Sequence, residues 1–528
     1  MIISKNTQTI QKKVYIILII GLIVRSIIAF FLNPGYDEVY YYLYAKNLDW
    51  SYFDHPPLVA LTTGIGVWIT GIVNQFTIRI GTLILHTGSL YLLYLTGKKM
   101  YNQSAGFFAL VIASLIPIFQ IAFGILTLPD VPLIFFWTLT LYVVSEEFFN
   151  SHWQYKPSYR IAIIGVLVGL TCLSKYHGFV LGLGLVGFCV SSKPYRRVFS
   201  SPWLWLSFGL FLLTLFPLWY WNWQHDWVSF GFQLSGRFES STDIQINILN
   251  LILFFLAGIA YLFPSFSIPL WWITIRSFLI EIFSRPHYPS RLILWVSFPM
   301  VIGFTLLGAF TQILPTWAMP GFWGLTIMFG HYVCAWHREF PRRIKNWLVF
   351  SAIFIYTLFS IGLLHFTTGA LQKPSPFLSM GILAPENDPS TELVDVVQLG
   401  ERLNSSSEFR EAFSNSDFVF TNAYYLGGYV AMALAQNEDM IDMPITCIGD
   451  DVRGFEFWQP LEDFKGDDGL FITLKVFGQD DVLINEWGEY FDSFDFVTEI
   501  PLLRGGGVVE TFYVYEGQNL LVTDDDLK

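Results

Sequence analysis

The chain is poor in charge. Only 14% of its 528 residues are Asp, Glu, Lys or Arg, where soluble domains carry about 25%. That shortage excludes an ordinary soluble protein for most of the length. Cysteine is scarce as well, with 4 residues. Cys172, Cys189 and Cys334 fall in or beside apolar segments and Cys447 lies near the C-terminus, so neither a disulfide framework nor a cysteine metal cluster is indicated. A basic stripe is missing, and the formal net charge of −12 argues against nucleic acid as a partner. What abounds is apolar and aromatic: 53% hydrophobic residues, with 51 Phe, 26 Tyr and 19 Trp. This is the composition of a polytopic α-helical membrane protein, with the lipid bilayer as its solvent.

The few charges are unevenly placed. Residues 1–370 hold 12 acidic and 22 basic residues, a net of +10. Residues 371–528 hold 30 acidic and 8 basic residues, a net of −22. The division predicts two domains, a membrane body over 1–370 and an acidic soluble domain over 371–528. In the second, Ser416–Phe420, Gly469–Val476 and Val508–Glu516 read as strands and Tyr424–Gln436 as a helix, so an α/β domain is expected.

Residues 14–32 form an uncleaved first span, because the core is too long for a signal peptide and no small-residue cleavage site follows. Further apolar runs lie near 76–97, 104–122, 131–149, 160–174, 178–190, 203–221, 246–282, 292–310, 317–334 and 347–367. The basic connections, including Lys98-Lys99, Lys193…Arg197 and Arg338…Lys345, go to the cytoplasm by the positive-inside rule. The alternation closes if 246–282 crosses once, which gives 11 spans and a C-terminal domain outside. Residues 58–72 are too short to cross and are read as a helix lying in the outer interface.

Of the 12 acids in the body, Asp37, Glu38, Asp49, Asp54, Asp130, Asp226, Glu239 and Asp243 all fall on the outer side. Ionisable groups at membrane depth are costly and mark sites. They sit in ordered motifs at outer span ends. Asp37-Glu38 follows the first span, then come Tyr52-Phe-Asp54-His55-Pro-Pro-Leu58, Pro129-Asp130-Val-Pro132 and Ser174-Lys175-Tyr-His-Gly178. Trp221-Asn222-Trp-Gln-His225 closes the seventh run, with Arg237 beyond it. The bland readings are helix-capping acids, a snorkelling lysine and an aromatic belt.

Taken in order, the motifs resemble the bacterial family-39-type, PMT-like GT-C glycosyltransferases, relatives of protein O-mannosyltransferases and of the aminoarabinose transferase acting on lipid A. The resemblance covers roughly residues 14–335. It implies a GT-C architecture and an inverting transfer of one sugar from a polyprenyl-phosphate donor to a glycolipid, glycan or protein acceptor. Transfer would take place on the outer face of a bacterial inner membrane. Breaking the C1–O–phosphate bond builds negative charge on phosphate while the acceptor loses a proton. Such a site needs a carboxylate base and opposing cations. By position, Asp37 matches the acceptor-activating acid, with Glu38 beside it as a second catalytic residue, and Lys175 matches a donor-phosphate contact. His55 stands where relatives carry Lys. His55, Asn222, His225 and Arg237 join Lys175 as candidates for donor phosphate or sugar. Asp54 and Asp130 are supporting residues, and a divalent ion shared between them stays open. The rival classes are a transporter or channel, for which no inverted repeat is apparent, and a receptor with a ligand-binding tail. Within the enzyme class a protein O-mannosyltransferase or a lipid-linked oligosaccharide transferase stays open.

Overall fold

In hydrocarbon an apolar segment satisfies its backbone only as a helix or a closed barrel. The computed structural model, which describes residues 2–150, 154–233, 247–284, 286–311, 313–373, 382–449 and 451–521, is mostly helical. The first outer loop is framed by α1 (Ile2–Phe31), α2 (Tyr36–Lys46), α3 (Leu58–Thr70) and α4 (Ile80–Met100). There follow α5 (Gln103–Ala113), α6 (Pro117–Ile121), α7 (Asp130–Phe148), α8 (Arg160–Ser174) and α9 (Gly178–Ser191). Next come α10 (Pro202–Thr214), α11 (Phe216–Gln224), α12 (Val228–Gly231), α13 (Ile248–Leu262) and α14 (Pro264–Phe283). The apolar part ends with α15 (Tyr288–Leu307), α16 (Met319–Glu339) and α17 (Pro341–Thr368).

Among the described residues six helices are long and apolar enough to cross a membrane, or eight if two bent pairs each count as one span. The difference from eleven expected runs has local causes. The run 104–122 breaks after α5, and α6 begins at Pro117, a residue that cannot donate to a continuing helix. A bend of 43° separates α10 from α11, whose second residue is Pro217. The run 246–282, expected to cross once, is two helices. Phe263 takes a positive φ of 66° and Pro264 starts α14, which is long and apolar enough to cross, while α13 is a shorter apolar helix. Residues 58–72 do form a short apolar helix, α3.

The chain divides into two compact units, and the boundary is not simply residue 370. The first comprises Met1–Ser26, Trp50–Thr62 and Gly81–Thr357. Its helices approach closely where side chains are small. A Cβ on Gly106 would stand 2.3 Å from the Tyr94 carbonyl oxygen, and one on Gly330 would stand 2.4 Å from that of Ala105. Small residues let helices meet at backbone distance where lipid supplies no hydrophobic drive to associate.

The second unit comprises Ile27–Asp49, Thr63–Ile80 and Leu358–Lys528. It contains α18 (Val396–Ser405), α19 (Ser407–Asn415) and α20 (Tyr424–Leu434). Its strands are β1 (Phe418–Thr421), β2 (Ile445–Cys447), β3 (Gly469–Leu474), β4 (Phe491–Arg504) and β5 (Gly507–Leu520). They make one sheet in the order β2-β1-β3-β5-β4, parallel over the first three and antiparallel from β3 to β4. Three strand segments and the α20 helix lie where the sequence reading placed them, while β2 and β4 add to it. Phe418, Phe420, Phe471, Trp487 and Phe491 form the core of one sheet face. The unit also holds α2. Gly428 of α20 lies against the Val39 backbone, where a Cβ would come within 2.6 Å, and the Tyr429 hydroxyl donates to the Pro34 carbonyl at 3.2 Å. The first-loop helix that carries Asp37 and Glu38 is therefore part of the same body as the sheet.

The C-terminal turns of α1 and α17 line one cavity of this unit. Both helices thus end on the same side, and if both cross the bilayer, the crossings counted from one through the other are odd in number.

Candidate active site

In the second unit the candidate acids occupy the first turn of α2, where a carboxylate is favoured by the helix dipole. They face opposite ways. Asp37 is exposed. Glu38 is buried, and its carboxylate meets Arg79 in a two-pronged pair, Nε to Oε1 at 2.7 Å and Nη2 to Oε2 at 2.6 Å. Glu38 Oε2 also accepts from the Gly35 amide at 3.1 Å, which caps its own helix. Arg79 is fully buried and donates further to the carbonyls of Ala29, Leu32 and Asn33 at 3.0, 2.5 and 3.1 Å. One guanidinium therefore ties the end of α1 to the start of α2. Arg79 was hidden from sequence reasoning inside the run 76–97; the available signal was an arginine in a stretch otherwise nearly free of charge.

In the first unit Asp130 opens α7 and Lys175 caps α8. Their side chains form an ion pair at 2.7 Å, each about 9% exposed. Lys175 is thus not a snorkelling lysine. Asp130 Oδ1 has no hydrogen-bond partner among the described residues. The residues after Lys175 reach two other motifs. The Tyr176 ring packs on Phe230 with centroids 5.8 Å apart, and His177 stacks on Phe304 at 4.8 Å and meets Trp317 edge-on at 6.0 Å. Beside Phe230, the Ser229 hydroxyl donates to the Tyr52 carbonyl at 2.9 Å, and Gln233 donates to the Asp54 carbonyl at 2.6 Å. Asp54 and His55 are both buried. Asn222 is buried with Nδ2 given to the Leu218 carbonyl at 3.0 Å, and its Oδ1 has no partner among the described residues. His225 stacks on Trp221 at 4.0 Å, and its Nδ1 lies 2.8 Å from the Trp221 carbonyl.

The structure therefore links the Tyr52–His55, Pro129–Pro132 and Ser174–Gly178 motifs inside the first unit, through the ion pair and through α12 and Gln233 just beyond it, which follow the Trp221–His225 motif in the chain. Arg237 lies outside the described residues, as do Glu239 and Asp243. No group of three or more His, Cys, Asp or Glu among the described residues is arranged to hold a metal ion. Asp130 turns one oxygen to Lys175, and no grouping of Asp54 with Asp130 and a third ligand is found among the described residues.

Residues 54–221 match the family described as dolichyl-phosphate-mannose-protein mannosyltransferase. The stretch contains Asp54, His55, Asp130 and Lys175. The lipid A galacturonosyltransferase RgtD of Rhizobium johnstonii is 22% identical over 321 residues, which cover 60% of this chain and 63% of that protein, just under two thirds of its length. The crystal structure of apo ArnT from Cupriavidus metallidurans superposes with a TM-score of 0.58 at 12% identity, over 96% of this chain and 98% of that one. At that identity the likeness speaks for the fold. The three findings agree: over part of its length the chain is similar to PMT-type glycosyltransferases, and it shares the fold of ArnT.

Proposed function

We propose that the chain is an inverting glycosyltransferase that moves one sugar from a polyprenyl-phosphate donor to a glycolipid on the outer face of a bacterial inner membrane. The observation that carries the reading is the buried Lys175–Asp130 pair, which joins the Pro129–Pro132 and Ser174–Gly178 motifs. A buried lysine beside a carboxylate with one unbonded oxygen suits a ligand that arrives as an anion and brings hydroxyls. The phosphate takes the cation, and a sugar hydroxyl donates to the carboxylate. His55, Asn222 and His225 are the further donor contacts in this reading, and Arg237, outside the described residues, is a further candidate. Asp54 supports that segment.

Asp37 is the base. The acceptor oxygen attacks C1 from the face opposite the phosphate, Asp37 takes its proton, the C1–O bond breaks, and the electron pair stays on the phosphate oxygen near Lys175. Glu38 serves as a positioning residue, because both its oxygens are engaged by Arg79. Glycolipid is favoured as the acceptor by the likeness to a lipid A galacturonosyltransferase.

The test is reconstitution in nanodiscs with polyprenyl-phosphate-linked galacturonate or mannose and lipid A, read by mass spectrometry. Wild type should form a glycosylated lipid with inverted anomeric configuration. Asp37→Asn should bind donor normally and lose about 10²–10⁴-fold in turnover, the size of a general-base contribution. Undiminished turnover in Asp37→Asn would remove Asp37 from the chemistry, and wild type inert toward both donors would overturn the reading.

A further inference from the structure

One cavity of the second unit has no part in the chemistry above. It holds about 370 Å³. Part of its wall is aromatic, from Phe30 and Phe31 in the last turn of α1 and Phe366 near the end of α17. Phe30 and Phe31 are each 53% exposed. These helix ends are where apolar chain gives way to the soluble sheet domain. The rest of the wall is polar, and its hydrogen bonds can be counted atom by atom.

Its cation is already committed. Arg504 gives Nη2 to Asp388 at 2.7 Å, Nη1 to the Ser390 hydroxyl at 2.9 Å and Nε to Gln372 at 3.1 Å. Asp395 caps α18 through the Gln398 amide, and the Gln398 side chain closes on both backbone groups of Leu503. Four residues keep capacity, Asp395 through its second oxygen. Asn33 uses its amide nitrogen on the Leu393 carbonyl at 3.3 Å, and Gln75 uses its own on the Phe30 carbonyl at 2.9 Å. Only a nitrogen can donate to a carbonyl, so each turns its oxygen elsewhere. Glu510 accepts the Thr511 amide on Oε1 at 2.8 Å. Asn33 Oδ1, Gln75 Oε1, Asp395 Oδ2 and Glu510 Oε2 have no hydrogen-bond partner among the described residues. All four are acceptors, and each of the two amide nitrogens keeps a second hydrogen to donate.

With Arg504 paired to Asp388, the carboxylates of Asp395 and Glu510 leave the wall net negative, which disfavours a phosphate, while the mix of spare acceptors and amide hydrogens suits hydroxyls, which both accept and donate. We infer that it binds the hydroxyl-rich sugar headgroup of the glycolipid acceptor, with the acyl chains leaving past Phe30, Phe31 and Phe366, and that it selects a sugar hydroxyl over a lipid phosphate as the acceptor end. Asn33 lies four residues before Asp37, in the segment that α1 hands to α2. Burial raises the Glu510 carboxyl above the ordinary carboxylate value, the Thr511 amide and Lys475 opposing it. A bound hydroxyl donating to Oε2 would relieve that burial. This inference rests on the glycosyltransferase reading for its ligand but not for its geometry.

The experiment measures binding of two probes to the full chain in nanodiscs without donor: lipid A, and lipid A stripped of both phosphates. Wild type should bind the stripped lipid at least as tightly as its phosphorylated parent. Glu510→Gln should weaken that binding by about ten- to a hundredfold, the range for a hydrogen bond to a charged group. Val509→Trp, which fills the cavity, should abolish it, with donor affinity measured in parallel and unchanged in both variants. If Val509→Trp does not fold, Glu510→Gln decides alone. Unaltered binding of the stripped lipid in Glu510→Gln, or wild type that binds only the phosphorylated lipid or neither, overturns the inference. Wild type that binds the stripped lipid but transfers no sugar to it leaves the cavity standing and sinks the catalytic reading instead.

Discussion

Removing Arg79 should damage the second unit more than any other single change, and the size follows from its contacts. Arg79→Met deletes five hydrogen bonds, two to Glu38 and three to carbonyls of Ala29, Leu32 and Asn33. The Glu38 carboxylate, with side-chain exposure of 2%, is left as a buried charge without its partner. Breaking a buried pair in this way costs about 3–5 kcal/mol. Each carbonyl left buried without a donor adds about 1 kcal/mol or more. A loss beyond about 5 kcal/mol consumes much of an ordinary folding margin of about 5–15 kcal/mol. For a body of this size it lowers the unfolding midpoint by roughly 10–20 °C. Glu38→Gln costs less, because the amide keeps an acceptor for the guanidinium. In Arg79→Met/Glu38→Gln the unpaired charge is gone, so the double variant should be more stable than the sum of the singles by about 0.5–3 kcal/mol. The assay is thermal unfolding of the detergent-solubilised variants, followed by turnover well below each midpoint. Glu38→Gln should keep turnover within about tenfold of wild type, well short of the 10²–10⁴-fold cost of losing a general base. Additive singles, or folded Glu38→Gln as inactive as Asp37→Asn, would refute the positioning role.

Lys175→Ala should strand buried Asp130, costing about 3–5 kcal/mol of stability and weakening polyprenyl-phosphate binding by about ten- to a hundredfold. Lys175→Arg should recover part of both, and an unchanged dissociation constant in the alanine variant would remove Lys175 from the donor site. The pH response of the second unit should carry a contribution from Asp388. Burial pushes its carboxyl up, but the Ser390 hydroxyl and amide and the His365 ring more than offset this, so it sits below the ordinary 3.8. A depressed folded value stabilises the fold fully well above pH 3.8, less below it, and not at all once the pH has fallen through the folded value. Asp388→Asn should therefore be less stable than wild type at neutral pH, with the gap closing in acid; a gap that widens in acid would contradict the assignment. A reporter fused after residue 370 should report the outside and one within Lys193–Arg197 the cytoplasm, and a cytoplasmic signal from the first would invert the sidedness.

Hydrophobic length and local chemistry were legible without coordinates. The apolar runs became helices because a membrane segment has few other options. The sheet segment 508–516 was legible because alternation along a strand is a local pattern, and 416–420 and 469–476 as short apolar runs, whose strands β1 and β3 are buried at every residue. β4 was harder to see: its burial alternates poorly, it contains Pro501, and its register with β5 shifts twice. The break at Phe263 depended on a positive φ that sequence marks only by the proline after it. The order of the outer-loop motifs was enough to suggest the PMT-like resemblance, and to single out Asp37, Asp130 and Lys175.

Only the tertiary structure decided what those residues meet. That Glu38, a second catalytic candidate, gives both its oxygens to Arg79, 41 positions away, is a fact of packing. That Lys175 is paired with Asp130, 45 positions away, changes a lone phosphate contact into a neutral pair. That α2 belongs with the sheet domain rather than with the membrane helices follows from Val39 meeting Gly428. The reason is common to all three. Helix and strand formation are set by neighbours a few positions apart, which the sequence displays directly. The partner of a buried charge is set by which distant elements pack together, and any of several basic residues in the chain would satisfy a carboxylate equally well until packing selects one.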